Sequence, residues 1–207
     1  MNYFTKDWYN EMTIIRFLDF PDTIEEWEEN TQVFCQDSDF IKVCKEELEE
    51  RKQDLLKYLP EPFHPFIYDG TLNTTYPSPN LRKLAADWVK KTEEKTLSVM
   101  KEYDKFFKSI KKLIPPNAQK IHDIGIHDAK VLDFKKNDKT FEIIFGDRKL
   151  KFTFTNVKKL AIPNRLLERW WLYAEIYPTE IGFELRVLFD DMSELFLEAD
   201  NVLIDNI

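Results

Sequence analysis

The stretch IPPNAQKIHDIGIHDAKVLDF, Ile114 to Phe134, divides the chain into two kinds of periodicity. Before it, apolar residues recur at three- and four-residue steps, the spacing that puts them on one helix face. After it they alternate with polar residues, as on a half-buried strand. Pro115-Pro116 stops any helix arriving from the N-terminal side. The fold class expected is therefore α+β: an N-terminal helical part packed on a C-terminal antiparallel β-sheet or partial barrel. The corresponding divisions are 1–114 for the helical part, 115–125 for a connector and 126–207 for the β part.

On the C-terminal side, Val131 to Phe134 leads into a turn at Lys136-Asn137-Asp138. Phe141, Ile143 and Phe145 alternate with polar residues up to Gly146-Asp147, and Leu150, Phe152 and Phe154 alternate likewise. Trp170 to Tyr177, Phe183 to Phe189 and Leu195 to Ile204 read as three further strands. Short strands joined by hairpins predict antiparallel pairing and not βαβ units.

On the N-terminal side, Thr5 is an N-cap for a helix over about 6–18, with Trp8, Met12 and Ile15 on one face. Phe20-Pro21 ends it. Thr23 with Glu26 forms a capping box for a helix carrying Ile24, Trp27 and Phe34, which falters at Gln36-Asp37-Ser38-Asp39. A third helix, about 39–59, repeats Ile41, Cys44, Leu48, Leu55 and Leu59. Pro60, Pro62 and Pro65 interrupt, Asp69-Gly70 turns the chain, and Ser78-Pro79 opens a helix that could run to Leu113, about 50 Å. Its middle, Lys90 to Thr96, is a polar waist.

Composition narrows the function classes. The chain of 207 residues is 43% hydrophobic and 14% aromatic, enough to fold despite 33% charged residues. Four glycines leave neither GxGxxG nor GxxxxGK[ST], so the usual nucleotide loops are absent. The start MNYFTKDWYNEM lacks the basic and apolar regions of a signal peptide, and no apolar run approaches a membrane span. Cys35 and Cys44, on one continuous helix, would be separated by about 13.5 Å of rise and lie on opposite faces, too far for a disulfide. Two thiols suit a reducing cytoplasm, and a cytoplasmic protein is expected. The net charge of −8 sits in residues 1–60, with 15 acids and 7 bases, while residues 61–127 hold 8 acids and 11 bases. An acidic chain argues against nucleic acid as a partner. No membrane partner is expected.

Four segments carry a family resemblance: the YFTK start followed by Trp8, YDGTLN at 68–73, HDAKV at 127–131 and WWLYAEIYPTEIGFELRVLF at 170–189. Together they resemble the bacterial proteins grouped as domain of unknown function 4085, over nearly the whole chain. The C-terminal part also resembles small β-rich domains encoded among bacterial toxin-immunity proteins. The first resemblance implies a bacterial protein and brings no catalytic residues with it.

His122-Asp123 and His127-Asp128 form an HDxxxHD pattern that invites a metal. Residues five apart lie roughly 16 Å apart on opposite faces of a strand, or about 140° apart on a helix. Only a bend at Gly125 would join them, and no third ligand is placed by spacing. No metal or other cofactor is assigned. His64 lies in Pro-Phe-His-Pro, an extended loop, where solvent or backbone capping is its expected fate. No GxSxG elbow occurs, and Cys44 belongs to an apolar helix face. No catalytic residue is assigned. Lys101, Lys105, Lys108 and Lys112 make one basic stripe, read as solvated for want of interleaved stacking aromatics.

One strand pair does suggest a site. With Trp170, Leu172, Ala174 and Ile176 toward the core, Trp171, Tyr173, Glu175 and Tyr177 share the opposite face with Arg186. Placing Glu175 across from Arg186 pairs opposite charges, whereas a two-residue shift sets it against Glu184. A face with three aromatics is expected to be an interface, covered by residues 1–114 or by a partner. These five residues are the candidate site, and the expected function is a non-enzymatic interaction module with an unknown protein partner, toxin-immunity-like in form. The alternative is a hydrolase or small-ligand binder with a pocket between the helical and β parts.

Overall fold

Capping residues and prolines set the helix boundaries in the computed structural model, which describes residues 1–34 and 40–207. Cys35 and the expected break at Gln36-Asp37-Ser38-Asp39 lie outside the described residues. Helix α1 (Lys6–Thr13) tightens into a 3₁₀ turn over Ile14–Leu18. The tighter winding changes the period, so Ile14, Phe17 and Leu18 are buried, whereas Met12 and Ile15 are only half-buried. At α2 (Ile24–Phe34) the Glu26 N–H donates to Thr23 Oγ1 at 3.1 Å. The Glu26 carboxylate accepts in return from Asp22 N–H at 2.9 Å, one residue before the usual partner of a capping box. Helix α3 (Phe40–Tyr58) and the short α4 (His64–Tyr68) follow. Ser78 Oγ accepts from the Leu81 N–H at 3.2 Å and opens α5 (Pro79–Ile110), 32 residues long.

The stretch expected to be a connector contains a helix, α6 (Pro116–Asp123). Pro116 supplies a pre-set φ at its first turn, and the Gln119 amide donates to the carbonyls of Lys111 and Ile114 at 2.9 and 2.8 Å. No helix among the described residues is long and apolar enough to cross a membrane.

Compactness divides the chain elsewhere than helix and strand do. Asp7–Ser98 form one unit; Met1–Lys6 with Val99–Ile207 form the other. The helical unit has its own core, in which Ile14, Phe17, Leu48, Leu55, Phe63 and Ile67 are essentially inaccessible. The second unit takes the last third of α5 and all of α6, because Phe107, Ala118 and Ile121 belong to the core built on the strands.

Eight antiparallel strands make that second core: β1 (Ala129–Lys136), β2 (Thr140–Phe145), β3 (Leu150–Thr155), β4 (Lys159–Ala161), β5 (Trp170–Thr179), β6 (Gly182–Phe189), β7 (Glu194–Ala199) and β8 (Asn201–Asn206). They form one sheet in the order β4-β7-β6-β5-β1-β2-β3-β8, with β4 and β8 as its two ends and no closure into a barrel. The run expected as one strand, Leu195 to Ile204, is two, bent at Asp200. The sheet curls over itself, since Phe154 of β3 meets Phe183 of β6 at 6.3 Å and Trp171 of β5 lies 5.5 Å from Phe145 of β2. The alternating residues expected on β2, β3 and β6 are inside: Phe141, Ile143, Phe145, Phe152, Phe154, Phe183, Leu185, Val187 and Phe189 are all fully buried. Each buried ring stabilises the fold by about 1.5–3 kcal/mol.

Strand β5 departs from strict alternation. Its register with β6 shifts between Trp171, opposite Phe189, and Tyr173, opposite Leu188, leaving Leu172 as a bulge. An extra residue flips the parity. Trp171 therefore enters the core at 1% exposure and Trp170 turns out to 41%, the reverse of the sequence reading. Beyond the bulge Ala174 and Ile176 face the core as expected.

Candidate functional site

Glu175 is central to the outer face of β5. It is the one charged side chain with no exposure among the described residues. Directly opposite it in the register stands Arg186, the pairing the sequence favoured. The two do not form an ion pair. Arg186 gives its Nε–H to Glu184 at 2.6 Å, two residues along the same face, and lies 5.1 Å over the Tyr177 ring. Glu175 is claimed by the N-terminal segment instead. Its Oε1 accepts from the backbone N–H groups of Tyr3 and Phe4, each at 2.7 Å, and its Oε2 from that of Asn2 at 2.8 Å. The Tyr177 hydroxyl donates to Oε2. Three successive N–H groups converging on one anion form the concavity that otherwise binds phosphate or carboxylate ligands. Two bonds on each oxygen use the full acceptor capacity of the carboxylate.

Aromatic rings enclose this anchor. Phe4 packs 4.9 Å from Tyr173 and 5.0 Å from Tyr103, Tyr3 lies 5.6 Å from Phe106, and Phe106 lies 5.5 Å from Tyr177. The Tyr103 hydroxyl accepts from the Ile176 N–H at 2.8 Å. Residues 1–4 and the last turns of α5 thus cover the face and leave Glu175 no exposure, whereas Trp171, the other buried candidate, lies in the core and not on this face. Tyr173, Tyr177 and Arg186 are half-buried.

Burial raises the Tyr103 phenol well above the ordinary tyrosine range, only partly offset by the Ile176 bond, and the Glu175 charge adds to the rise. Burial, then the bond given to Glu175, raises Tyr177 as well. A phenol held neutral in the fold and free to ionise when unfolded leaves stability unchanged below pH ~10 and lowers it as pH rises above that value. The urea midpoint is therefore expected to fall above about pH 10, with a shallower fall in the Tyr103→Phe/Tyr177→Phe double variant. Equal slopes in the two proteins would contradict this.

The histidines of the HDxxxHD pattern have separate neighbours. His122, near the end of α6, stacks on Phe107 at 3.9 Å with the planes 3° apart and pairs with Asp123 at 3.2 Å. His127 pairs with Asp128 at 2.9 Å and meets Tyr173 edge-on. His64 Nε2 bonds the Leu59 carbonyl at 3.0 Å. No three His, Cys, Asp or Glu side chains gather among the described residues as a metal site would require. Lys101, Lys105, Lys108 and Lys112 are all exposed, Lys108 paired with Asp104.

A second concavity, which the sequence did not suggest, lies within the helical unit. It is a cleft of about 370 Å³ whose apolar walls are Phe17, Phe20, Trp27 and Phe40, with Cys44 and Asn73 beside them. Trp27 and Phe40 meet edge-on at 6.0 Å and are half-buried. Burial, and then the charge of Glu47, raises the Cys44 thiol. The available signal was two large aromatics among charged helix positions, Trp27 within Glu25 to Glu29 and Phe40 before Lys42.

The model of a family described as protein of unknown function (DUF4085) matches residues 3–196. The chain belongs to that family. The match begins one residue after Asn2 and takes in the other residues of the carboxylate anchor, Tyr3, Phe4, Glu175 and Tyr177, and those of the helical cleft. No curated protein matches the chain.

Proposed function

We propose that this family member is a non-enzymatic protein-interaction module of the bacterial cytoplasm, in which the sheet unit is the scaffold and the helical unit supplies the contact surface. The observation that carries this reading is the half-buried Trp27–Phe40 pair in the aromatic cleft, since aromatic side chains in pockets dominate protein contacts. The side chains best suited to chemistry support it from the other direction. Glu175 is consumed by four hydrogen bonds, His122 by a ring stack and His64 by a backbone carbonyl. The Tyr173, Tyr177 and Arg186 edge of the β5–β6 face would then serve as a secondary contact at most. A toxin-neutralising role is the form suggested by the resemblance of the C-terminal part.

The test is affinity capture from native bacterial lysate, followed by purification of whatever protein is retained and titration of the two components. One protein retained in stoichiometric amount, binding with a defined Kd, is the expected result. Turnover of a small molecule by the purified chain, with no protein retained, would overturn the reading.

A further inference from the structure

The cleft of the helical unit has three properties that together select an occupant. Its volume of about 370 Å³ falls in the range of built ligand sites and accommodates a large side chain with its flanking backbone. Its floor is Phe17, 3% exposed, and its walls are aromatic. An aromatic or large aliphatic group entering it would be desolvated on several sides.

The second property is an orphaned acceptor. The Asn73 Nδ2 donates to the Cys44 carbonyl at 3.4 Å, a long bond, while Oδ1 is shielded from water and has no hydrogen-bond partner among the described residues. The reverse amide orientation would set two oxygens against each other at that distance. Buried acceptors in native proteins nearly always find a donor; closed to water as it stands, this one is reached by an occupant's N–H when the Asn73 side chain rotates toward the cleft and gives up its long bond to Cys44.

The third property is charge. Asp19 and Glu47 line the cleft, and Glu25, Glu26, Glu28 and Glu29 stand exposed on α2, the helix that supplies Trp27. The cation among the lining residues, Arg16, is already paired with Glu47 at 2.8 Å. A negative surround raises the local concentration of cationic partners and repels nucleic acid.

We propose that this cleft receives a basic segment of a partner protein: an aromatic or large aliphatic anchor, flanked by Lys or Arg, whose N–H bonds Asn73 Oδ1. The inference rests on the interaction reading above and adds the chemistry of the partner. The anchor fills the aromatic walls, and the flanking cations meet Asp19 and the α2 glutamates.

Selection of displayed random peptides on the intact chain tests it. Sequences enriched on the parent protein are expected to carry one large apolar residue flanked by Lys or Arg. Their synthetic forms are expected to bind about tenfold more weakly to Trp27→Ala and to Asn73→Leu, and to weaken as salt rises. Asn73→Leu is the informative variant, because it removes the unsatisfied acceptor at the cost of only the long Nδ2 bond to the Cys44 carbonyl, and its urea midpoint is measured beside its binding. Glu47→Lys, at a half-exposed site, separates charge from packing and should also weaken binding. Failure to enrich any peptide, enrichment of acidic or uncharged sequences, or equal binding by all the variants would each overturn the proposal. A lysate-captured protein that Trp27→Ala and Asn73→Leu bind as tightly as the parent does would leave the interaction reading standing and remove the cleft from it.

Discussion

Replacing Glu175 by leucine is expected to destabilise the chain by about 3–5 kcal/mol, because the acceptor of four donors, that of Phe4 buried and the other three partly buried, is removed at once. The three N–H groups of Asn2, Tyr3 and Phe4 would lose their acceptor, and the Tyr177 hydroxyl would lose its own. Leucine restores the volume, so the loss reports hydrogen bonding and not a cavity. Glutamine should fall between, since its amide oxygen keeps part of the acceptor capacity while its amino group faces the remaining donors. Urea unfolding gives the size of the effect, and amide exchange at Asn2, Tyr3 and Phe4 gives its location, with protection lost there in the leucine variant. A leucine variant within about 1 kcal/mol of the parent would show that water or relaxation satisfies these donors cheaply.

Gly182→Ala is the second large effect expected. Gly182 opens β6 and pairs with Thr179 across the β5–β6 hairpin, with φ of +155°. A Cβ there would sit 2.4 Å from the Ala199 carbonyl oxygen, 2.6 Å from that of Asp200 and 2.7 Å from Asp200 Cα. All three are backbone atoms at the bend between β7 and β8, so no side chain can swing aside. Relief requires the hairpin to lift off that bend, at a cost of about 3 kcal/mol or more once backbone strain is included. Gly125→Ala is the matched control: a Cβ at that position meets nothing within 4 Å, and its effect should stay within about 0.5 kcal/mol. Similar unfolding midpoints for the two alanine variants would refute the steric account.

Both effects depend on long-range contacts, and this separates what could be read from the chain from what could not. Helix starts were legible because a cap and its partner are three residues apart, as with Ser78 and Leu81 or Thr23 and Glu26. The inner faces of β2, β3 and β6 were legible because strict alternation leaves only one way to bury the phenylalanines. Helix α6 was missed because its eight residues carry too few apolar positions to show a period, and its ties to Lys111 and Ile114 come from a single glutamine.

The β5 face was half legible. Periodicity assigned Tyr173, Glu175 and Tyr177 to one side correctly, and charge assigned Glu175 opposite Arg186. It misplaced Trp170 and Trp171, because a bulge adds a residue without leaving a mark in the hydrophobic pattern. The fate of Glu175 was illegible, since its partners are backbone amides more than 170 residues away, and every residue but proline has that same N–H. The cleft was illegible for a related reason: Phe17, Trp27, Phe40 and Asn73 lie on separate elements that only packing brings together.

The sequence by itself determined the α+β class, the change of period at Pro115-Pro116, the antiparallel pairing and the family. These follow from interactions between near neighbours in the chain, which spacing encodes. Only the tertiary structure decided that an N-terminal strap takes Glu175 in place of Arg186, that Trp171 and not Trp170 fills the core, and that four aromatics and Asn73 line one cleft. Those outcomes are set by which distant groups fold next to one another, and a buried polar atom bonds whatever donor arrives.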